Sequence, residues 1–333
     1  MNAWQTLLWP LSAAFGAGAR LRARAYRTGV AKQQRLDGVV ISVGNLTTGG
    51  TGKTPMVAWI ADRLVREGKR AAILTRGYGS DERGTSDEAK LLRARLGERL
   101  AIGVGADRAA KGRELVKQGV EWFVLDDGFQ HLQLARDVDI VLIDATNPFG
   151  GGHVLPSGHL REPKSALRRA SVIVITRSGH APAVEAAVRR ESAAPIFYAH
   201  ARLDAIRGIA EGQLAGAVAP SGVGPAFAFC GIGNPMAFIA DLREWGMPVA
   251  GHKFFRDHHR YADVDEHGIL REAEAAGARA LICTEKDFYN LHAIYCGRLP
   301  VFVCEISMRV DREDEFWATV KRIAGAKTAV AQK

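Results

Sequence analysis

The chain has 333 residues, 47% of them hydrophobic and 24% charged, which excludes a disordered or fibrous chain and is long enough for two domains with their own cores. The net charge of +9 is local: residues 1–36 carry Arg20, Arg22, Arg24, Arg27, Lys32 and Arg35 and no acid, and without those six an excess of +3 remains. Four cysteines (Cys230, Cys283, Cys296, Cys304) form no Cys-x-x-Cys pair and no zinc spacing, which argues for buried reduced thiols in place of a disulfide or metal framework.

The first element is an uncharged run from Asn2 to Ala19, in which Trp4, Leu7, Leu8, Leu11 and Phe15 recur at helical spacing and Pro10 is expected to kink the helix. Eighteen residues rich in Ala and Gly are marginal for crossing a bilayer. An amphipathic helix lying in the interface, its arginines toward anionic headgroups, suits residues 1–35 better. The competing readings are a cleaved secretory signal, since Ala17-Gly18-Ala19 resembles a cleavage site, and a helix packed on the soluble core. No Lys or Arg precedes the apolar run, which counts against the signal.

Next comes Val39-Val40-Ile41-Ser42-Val43-Gly44-Asn45, a β-branched run that reads as a strand, followed by a glycine-rich loop and Gly52-Lys53-Thr54 at the head of a helix. This is the order of a nucleoside-triphosphate site. Backbone N–H groups of Thr48, Gly49, Gly50, Thr51 and Gly52 turn inward around phosphate oxygens, helped by the helix N-terminus. Lys53 reaches the β- and γ-phosphates of ATP, and the Thr54 hydroxyl ligates Mg²⁺. The strict pattern wants glycine where Thr47 stands, so the loop is the compact Gly-Gly-x-Gly-Lys-Thr variant, with Thr48 where switch ATPases of that type carry a second lysine.

Strand and helix then alternate, which predicts an α/β domain over 36–205 with a twisted parallel sheet flanked by helices. The expected helical face is Val57, Ile60, Ala61, Leu64 and Val65, and the expected strands are Ala71 to Leu74, Trp122 to Leu125, Ile140 to Ile143, Val172 to Ile175 and Ile196 to Tyr198. Ser86 can cap a helix beginning Asp87-Glu88. Trp122-Phe123-Val124-Leu125-Asp126-Asp127 is four apolar residues ending in paired acids, the pattern of a second nucleotide-site element whose carboxylate holds Mg²⁺. Adjacent aspartates repel unless a cation lies beside them. Asp144, at another strand end, is a rival for the same ion. A Gly-, Ala- and Pro-rich tract at 206–225 reads as a linker, and a smaller α/β domain follows over 226–333.

Three polar passages remain: Gly84-Thr85-Ser86-Asp87-Glu88-Ala89, Leu155-Pro156-Ser157-Gly158-His159-Leu160-Arg161-Glu162-Pro163, and Asp257-His258-His259. Separately they read as caps and turns. In order with Val43-Gly44-Asn45-Leu46, the glycine-rich loop, Thr75-Arg76-Gly77-Tyr78-Gly79, Asp126-Asp127-Gly128-Phe129-Gln130-His131, Gly231-Ile232-Gly233-Asn234-Pro235 and Thr284-Glu285-Lys286-Asp287, they make the chain resemble the bacterial tetraacyldisaccharide 4′-kinases over nearly its whole length. The departure is Ser86-Asp87-Glu88-Ala89, where the family usually reads Gly-Asp-Glu-Pro.

The resemblance implies transfer of the ATP γ-phosphoryl group to the 4′-hydroxyl of an acylated glucosamine disaccharide 1-phosphate, at the cytoplasmic face of the inner membrane. It also implies a phosphate-loop domain and a smaller α/β domain joined by a β-stranded linker. It makes Asp87 the base toward the sugar hydroxyl with His258 supporting it, although His259 next door leaves that assignment ambiguous. Thr54, Asp126 and Glu162 become candidates for the Mg²⁺ shell, Asp127 and His131 orient these groups, and Arg76 and Arg161 meet substrate phosphate. Two other classes compete. A membrane-associated ATPase switch shares the loop and the helix but normally needs a lysine at Thr48. A nucleic-acid-binding NTPase suits the charge, but the basic cluster lies beside an apolar run and lacks interleaved aromatics, so no nucleic-acid partner is expected. No protein partner is indicated.

Overall fold

Strands that are apolar on both faces need cover on both sides, and the sheets of this protein are covered that way. The computed structural model describes every residue except 1–2, 78–86, 98–99, 211, 292–297 and 332–333, with no side chain described at 3–6, 87–88 and 327–331. The chain divides into two compact units, Met1–Gly77 with Arg95–His200 and Met308–Lys333, and Tyr78–Ala94 with Ala201–Ser307.

In the first unit, β1 (Val39–Asn45), β2 (Ala71–Thr75), β3 (Ala101–Val104), β4 (Trp122–Asp126), β5 (Val138–Asp144), β6 (Val172–Thr176) and the start of β7 (Ile196–Ala210) form a sheet in the order β7-β6-β5-β1-β4-β2-β3. Every pairing in it is parallel. One face carries Val40, Leu74, Phe123 and Leu125 together with Val141, Ile143, Ile173 and Ile175, and the other carries Ile41, Val43, Val124, Ile140 and Leu142, all buried. The helix after the glycine-rich loop, α2 (Lys53–Arg66), buries Met56, Val57, Ala58, Ile60, Ala61 and Leu64, while Val65 is only half-buried. Strand β1 is central and pairs with β4 so that Val43 faces Asp126. The glycine-rich loop and the Asp126-Asp127 pair therefore leave the sheet side by side at its carboxyl edge, where parallel α/β sheets place their ligands.

The C-terminal helix α9 (Glu313–Ala331) belongs to this first unit, unlike the expected second domain of 226–333. The cause is packing on α2: Phe316 stands edge-on to Trp59 at 5.4 Å, Arg63 pairs with Glu313 at 2.8 Å, and Trp317 Nε1 donates to Glu67 at 2.7 Å. These contacts come from residues far apart in sequence, so periodicity carries no trace of them. Likewise 206–225 is mostly not a loose connection. Strand β7 runs on to Ala210 and turns back antiparallel as β8 (Gln213–Val218), the stranded form that the family resemblance implies.

The second unit holds parallel strands β9 (Ala226–Cys230), β10 (Val249–Phe254), β11 (Ala280–Thr284) and β12 (Val301–Val310) in the order β10-β9-β11-β12. Helices α6 (Pro235–Glu244), α7 (Asp263–Ala275) and the single turn α8 (Glu285–Phe288) complete it. Cys230, Cys283 and Cys304 are buried in its core as free thiols, and burial raises the pKa of each. Cys296 lies outside the described residues. Two elements with weak patterns, β3 and α4 (Arg108–Lys117), and the short α5 (Pro182–Arg189) join those expected.

The first helix, α1 (Ala3–Arg27), continues through Pro10. It docks on the first unit by a polar seam: Ser12 Oγ donates to Ser157 Oγ at 2.7 Å, and the Ser157 N–H donates back at 2.9 Å. Gly16 lies against Val154 and Pro163. Leu7, Leu11 and Phe15 of the expected stripe face solvent, joined by Trp9 and Leu21, whereas Leu8 turns half-buried toward the docked side and the side chain of Trp4 lies outside the description. Among the described residues no helix is long and apolar enough to cross a membrane.

Candidate active site

The sharp turn between β1 and α2 depends on glycine. Gly52 sits at φ 87° as the N-terminal cap of α2, and a Cβ there would come within 2.7 Å of Met308 Cε. Lys53, the first helical residue, is aimed at the neighbouring strand end: its Nζ lies 3.7 Å from Asp127 Oδ1 and donates to Asn45 Oδ1 at 3.4 Å. Arg161 Nη1 donates to the other oxygen, Asp127 Oδ2, at 2.7 Å. Asp127 is thus held between two cations. Burial works to raise its pKa, but Lys53 and Arg161 outweigh that and hold it below the ordinary value, so it stays ionised. Its backbone at φ 47° turns the carboxylate out of the strand.

Asp126 differs. It is buried, takes a long 3.4 Å bond from Thr75 Oγ1, and its pKa is raised, first by burial and then by the charge of Asp127. Two adjacent acids therefore carry opposite shifts: Asp127 is held ionised between Lys53 and Arg161, whereas burial and Asp127 keep Asp126 raised although Lys53 and Arg108 pull it down. Asp144, the rival, is committed elsewhere: Arg177 Nε lies 3.1 Å from it and the Thr146 hydroxyl donates at 2.6 Å. Glu162 is buried and its Oε1 accepts from Arg169 at 2.8 Å and Gln130 at 3.1 Å. Gln130 also donates to the Asn45 carbonyl at 3.0 Å, tying this acid to the end of β1. Among the described residues no group of three or more His, Cys, Asp and Glu side chains could hold an ion alone.

Around this core, Thr48 is pinned by His159, its N–H donating to the carbonyl at 2.8 Å and its hydroxyl 3.2 Å from Nδ1. Thr51 is buried and its hydroxyl has no hydrogen-bond partner among the described residues, and Thr54 is half-buried. Gly49 and Gly50 lie between. His131 is brought down to about 4 by burial and by Arg108, Arg136 and Arg22, so it is a neutral ring in a basic neighbourhood. Arg76 is exposed at the end of β2. Sequence reasoning gave no role to Arg108, buried at the start of α4 with Nη1 3.5 Å from the Asp127 carbonyl, or to Arg169, which grips Glu162. Both are arginines among many, without a spacing that marks them.

In the second unit, His258 and His259 separate cleanly. His259 Nε2 is 3.0 Å from Asp265, and the ring stacks on Phe255 at 4.6 Å, both structural ties. His258 is held at φ 61° by its own N–H donating to the Gly231 carbonyl, and its Nε2 lies 3.2 Å from Lys286 Nζ. Gly231 must be glycine, because a Cβ would come within 2.9 Å of the Arg256 carbonyl. Its N–H donates to Asp287, a fully buried carboxylate that also accepts from Tyr261 and Thr284. Asp87 opens α3 (Asp87–Leu96), and its side chain lies outside the described residues, as do residues 78–86 with the expected Ser86 cap.

Residues 4–324 match the family described as LpxK, tetraacyldisaccharide-1-P 4′-kinase. A tetraacyldisaccharide 4′-kinase of Anaeromyxobacter sp. (strain Fw109-5) is 42% identical, with 86% of this chain and 83% of that protein covered. One from Geobacter sulfurreducens is 40% identical, covering 90% and 87%. The crystal structure of LpxK from Aquifex aeolicus in complex with ATP superimposes with a TM-score of 0.72 at 28% identity, over 96% of this chain and 99% of that one. This chain belongs to the tetraacyldisaccharide-1-P 4′-kinase family.

Proposed function

We propose that the glycine-rich loop and the Asp126-Asp127 strand end together bind ATP and that this chain performs its family's reaction there. That reaction is ATP-dependent phosphorylation of the 4′-hydroxyl of tetraacyldisaccharide 1-phosphate, giving lipid IVA of lipid A biosynthesis. The observation that carries the site is the Lys53–Asp127–Arg161 arrangement beside the left-handed Gly52 turn. Phosphoryl transfer leaves little covalent work to the protein, so catalysis is positioning plus neutralisation of charge on the transferring oxygens.

Lys53 and the N–H groups of Gly49 to Thr54 bind the β- and γ-phosphates, whereas the Thr48 N–H, expected among them, is taken by the His159 carbonyl. Asp127 keeps Lys53 aimed, and Arg161, with Arg76, meets phosphate at the outer edge. The Thr54 hydroxyl and the Asp126 carboxylate are hard oxygen donors that suit Mg²⁺, with Glu162 as a further candidate, and phosphate oxygens complete such a shell. An ion held by these residues would supply neutralisation of negative charge on the phosphate oxygens. The raised pKa of Asp126 supports this reading, since a cation would restore its charge. Asp87 takes the proton of the 4′-hydroxyl as the oxygen–phosphorus bond forms, supported by His258. That proton leaves late in a loose transition state, so an ordinary carboxylate serves.

The substrate's acyl chains give α1 its purpose. Leu7, Trp9, Leu11, Phe15 and Leu21 are 46–70% exposed on a helix whose other side is fixed to the first unit. Burying even half of each would contribute about 1 kcal/mol apiece in a membrane interface. Arg20, Arg22, Arg24 and Arg27 along the same helix suit anionic headgroups, and Arg22 also donates to the Gln130 carbonyl at 3.2 Å. We place the protein on the cytoplasmic face of the inner membrane, where ATP is. The test is incubation with tetraacyldisaccharide 1-phosphate and ATP, with Mg²⁺ or with a chelator. Lipid phosphorylation that needs Mg²⁺ is expected, whereas ATP hydrolysis leaving the lipid unchanged would favour a membrane-associated ATPase switch.

A further inference from the structure

Asp257 and His258 are neighbours in sequence but not a hydrogen-bonded pair. His258 Nε2 lies 3.9 Å from Asp257 Oδ1, beyond hydrogen-bond reach. Lys286 stands between them: its Nζ donates to Asp257 Oδ1 at 2.9 Å and lies 3.2 Å from His258 Nε2. An ammonium group has three protons and no lone pair, so it donates and never accepts. Hydrogen bonding from Lys286 therefore makes Nε2 the acceptor of the ring and puts the proton of a neutral imidazole on Nδ1.

The support beneath this contact is rigid on both sides. Lys286 sits on α8, whose first turn is closed by reciprocal bonds between Thr284 and Asp287. His258 hangs from Gly231, and the Gly231 N–H donates to the same Asp287 at 2.6 Å. One buried carboxylate thus fixes the lysine and the histidine relative to each other. Lys286 itself is 17% exposed in its side chain, so water competes little for its protons.

We propose that Lys286 is a positioning residue for the phosphoryl transfer, fixing His258 as the Nδ1–H tautomer and orienting it through the shared contact with Asp257. This rests on the reading of His258 as the group that supports the base. The Nδ1–H edge is then the donor edge of the ring, the one that can face a carboxylate or a sugar hydroxyl. A ring flipped or in the other tautomer presents a lone pair where a donor is needed.

The test combines isotope-edited NMR of imidazole nitrogens in the full chain, with the His258 signals assigned by His258→Gln, and steady-state kinetics. In the wild-type protein Nδ1 carries the proton and Nε2 does not. Lys286→Met shifts the ring toward the Nε2–H form and lowers kcat about tenfold or more, with the KM for ATP unchanged. Lys286→Arg, which keeps a donor and a charge, recovers part of the loss. A protonated Nε2 in the neutral wild-type ring overturns the proposal, as does a folded Lys286→Met protein with wild-type kcat. If Lys286→Met does not fold, the wild-type spectrum and Lys286→Arg still decide. A protein that phosphorylates no lipid would sink the kinase reading while leaving the spectrum to report on Lys286.

Discussion

Removing the Lys53 ammonium separates chemistry from stability better than any other single change. Two unit charges about 4 Å apart attract by about 4 kcal/mol at an effective dielectric constant near 20, before desolvation is counted. Lys53 and Asp127 are 3.7 Å apart with side chains 16% and 21% exposed, so that attraction is partly offset by the water both have lost. Arg161 remains at 2.7 Å from Asp127 after the substitution, so the carboxylate is not orphaned. The net loss of stability in Lys53→Ala is therefore about 1 kcal/mol, a shift of about 1–2 °C in the thermal midpoint of a chain this long. Turnover has no such substitute. Losing one donor aimed at charge that develops in the transition state costs ~10²–10³-fold in kcat. Initial rates of lipid phosphorylation at saturating ATP, alongside thermal unfolding, measure both quantities. A folded Lys53→Ala protein that keeps turnover within tenfold of wild type would refute the assignment of this loop.

Three further outcomes follow from particular contacts. Asp287→Ala strands the Gly231 N–H, the Tyr261 hydroxyl and the Thr284 groups, and chemical denaturation should show a loss of about 3–5 kcal/mol, only partly restored in Asp287→Asn, whose Nδ2 cannot accept from the Thr284 N–H. His131 has a folded pKa of about 4 against an ordinary 6.5, so the unfolded chain binds the proton first as pH falls. Its contribution to stability is present above 6.5 and lost toward 4, and denaturation across that range should show a shallower pH dependence in His131→Gln. Deleting residues 2–27 should abolish flotation with anionic liposomes while ATP binding persists, and high salt should loosen the intact protein only partly, because salt screens arginines but not apolar burial. Equal flotation of both forms would assign the membrane contact to another surface.

What was legible in the sequence was local. The β1 strand, the Gly52 turn and the α2 face are contiguous patterns, and the register that sets Val43 beside Asp126 follows once β1 and β4 are both read as parallel strands. The fate of the acids was not legible. Asp126, Asp127 and Asp144 look alike as strand-end carboxylates, and their roles are divided by Lys53, Arg161 and Arg177, residues that only the fold brings near. The same holds for the Asp257-His258 pair, whose adjacency hides Lys286 between the side chains. The helix stripe was read by period alone, and a docking seam of Ser12 and Gly16, small residues with no hydropathy signal, rotated Leu8 inward and Trp9 outward.

The central claim is that phosphate leaves ATP at this glycine-rich loop and arrives on one hydroxyl of the lipid. The direct measurement is phosphorus NMR and mass spectrometry of the lipid product after reaction with Mg-ATP, run for wild type and for Lys53→Ala. The expected product carries a single added phosphate, present as a monoester on the 4′-oxygen with the 1-phosphate unchanged, and Lys53→Ala yields essentially none in the same time. A new signal from a diphosphate at the 1-position, or equal product from both proteins, would contradict it.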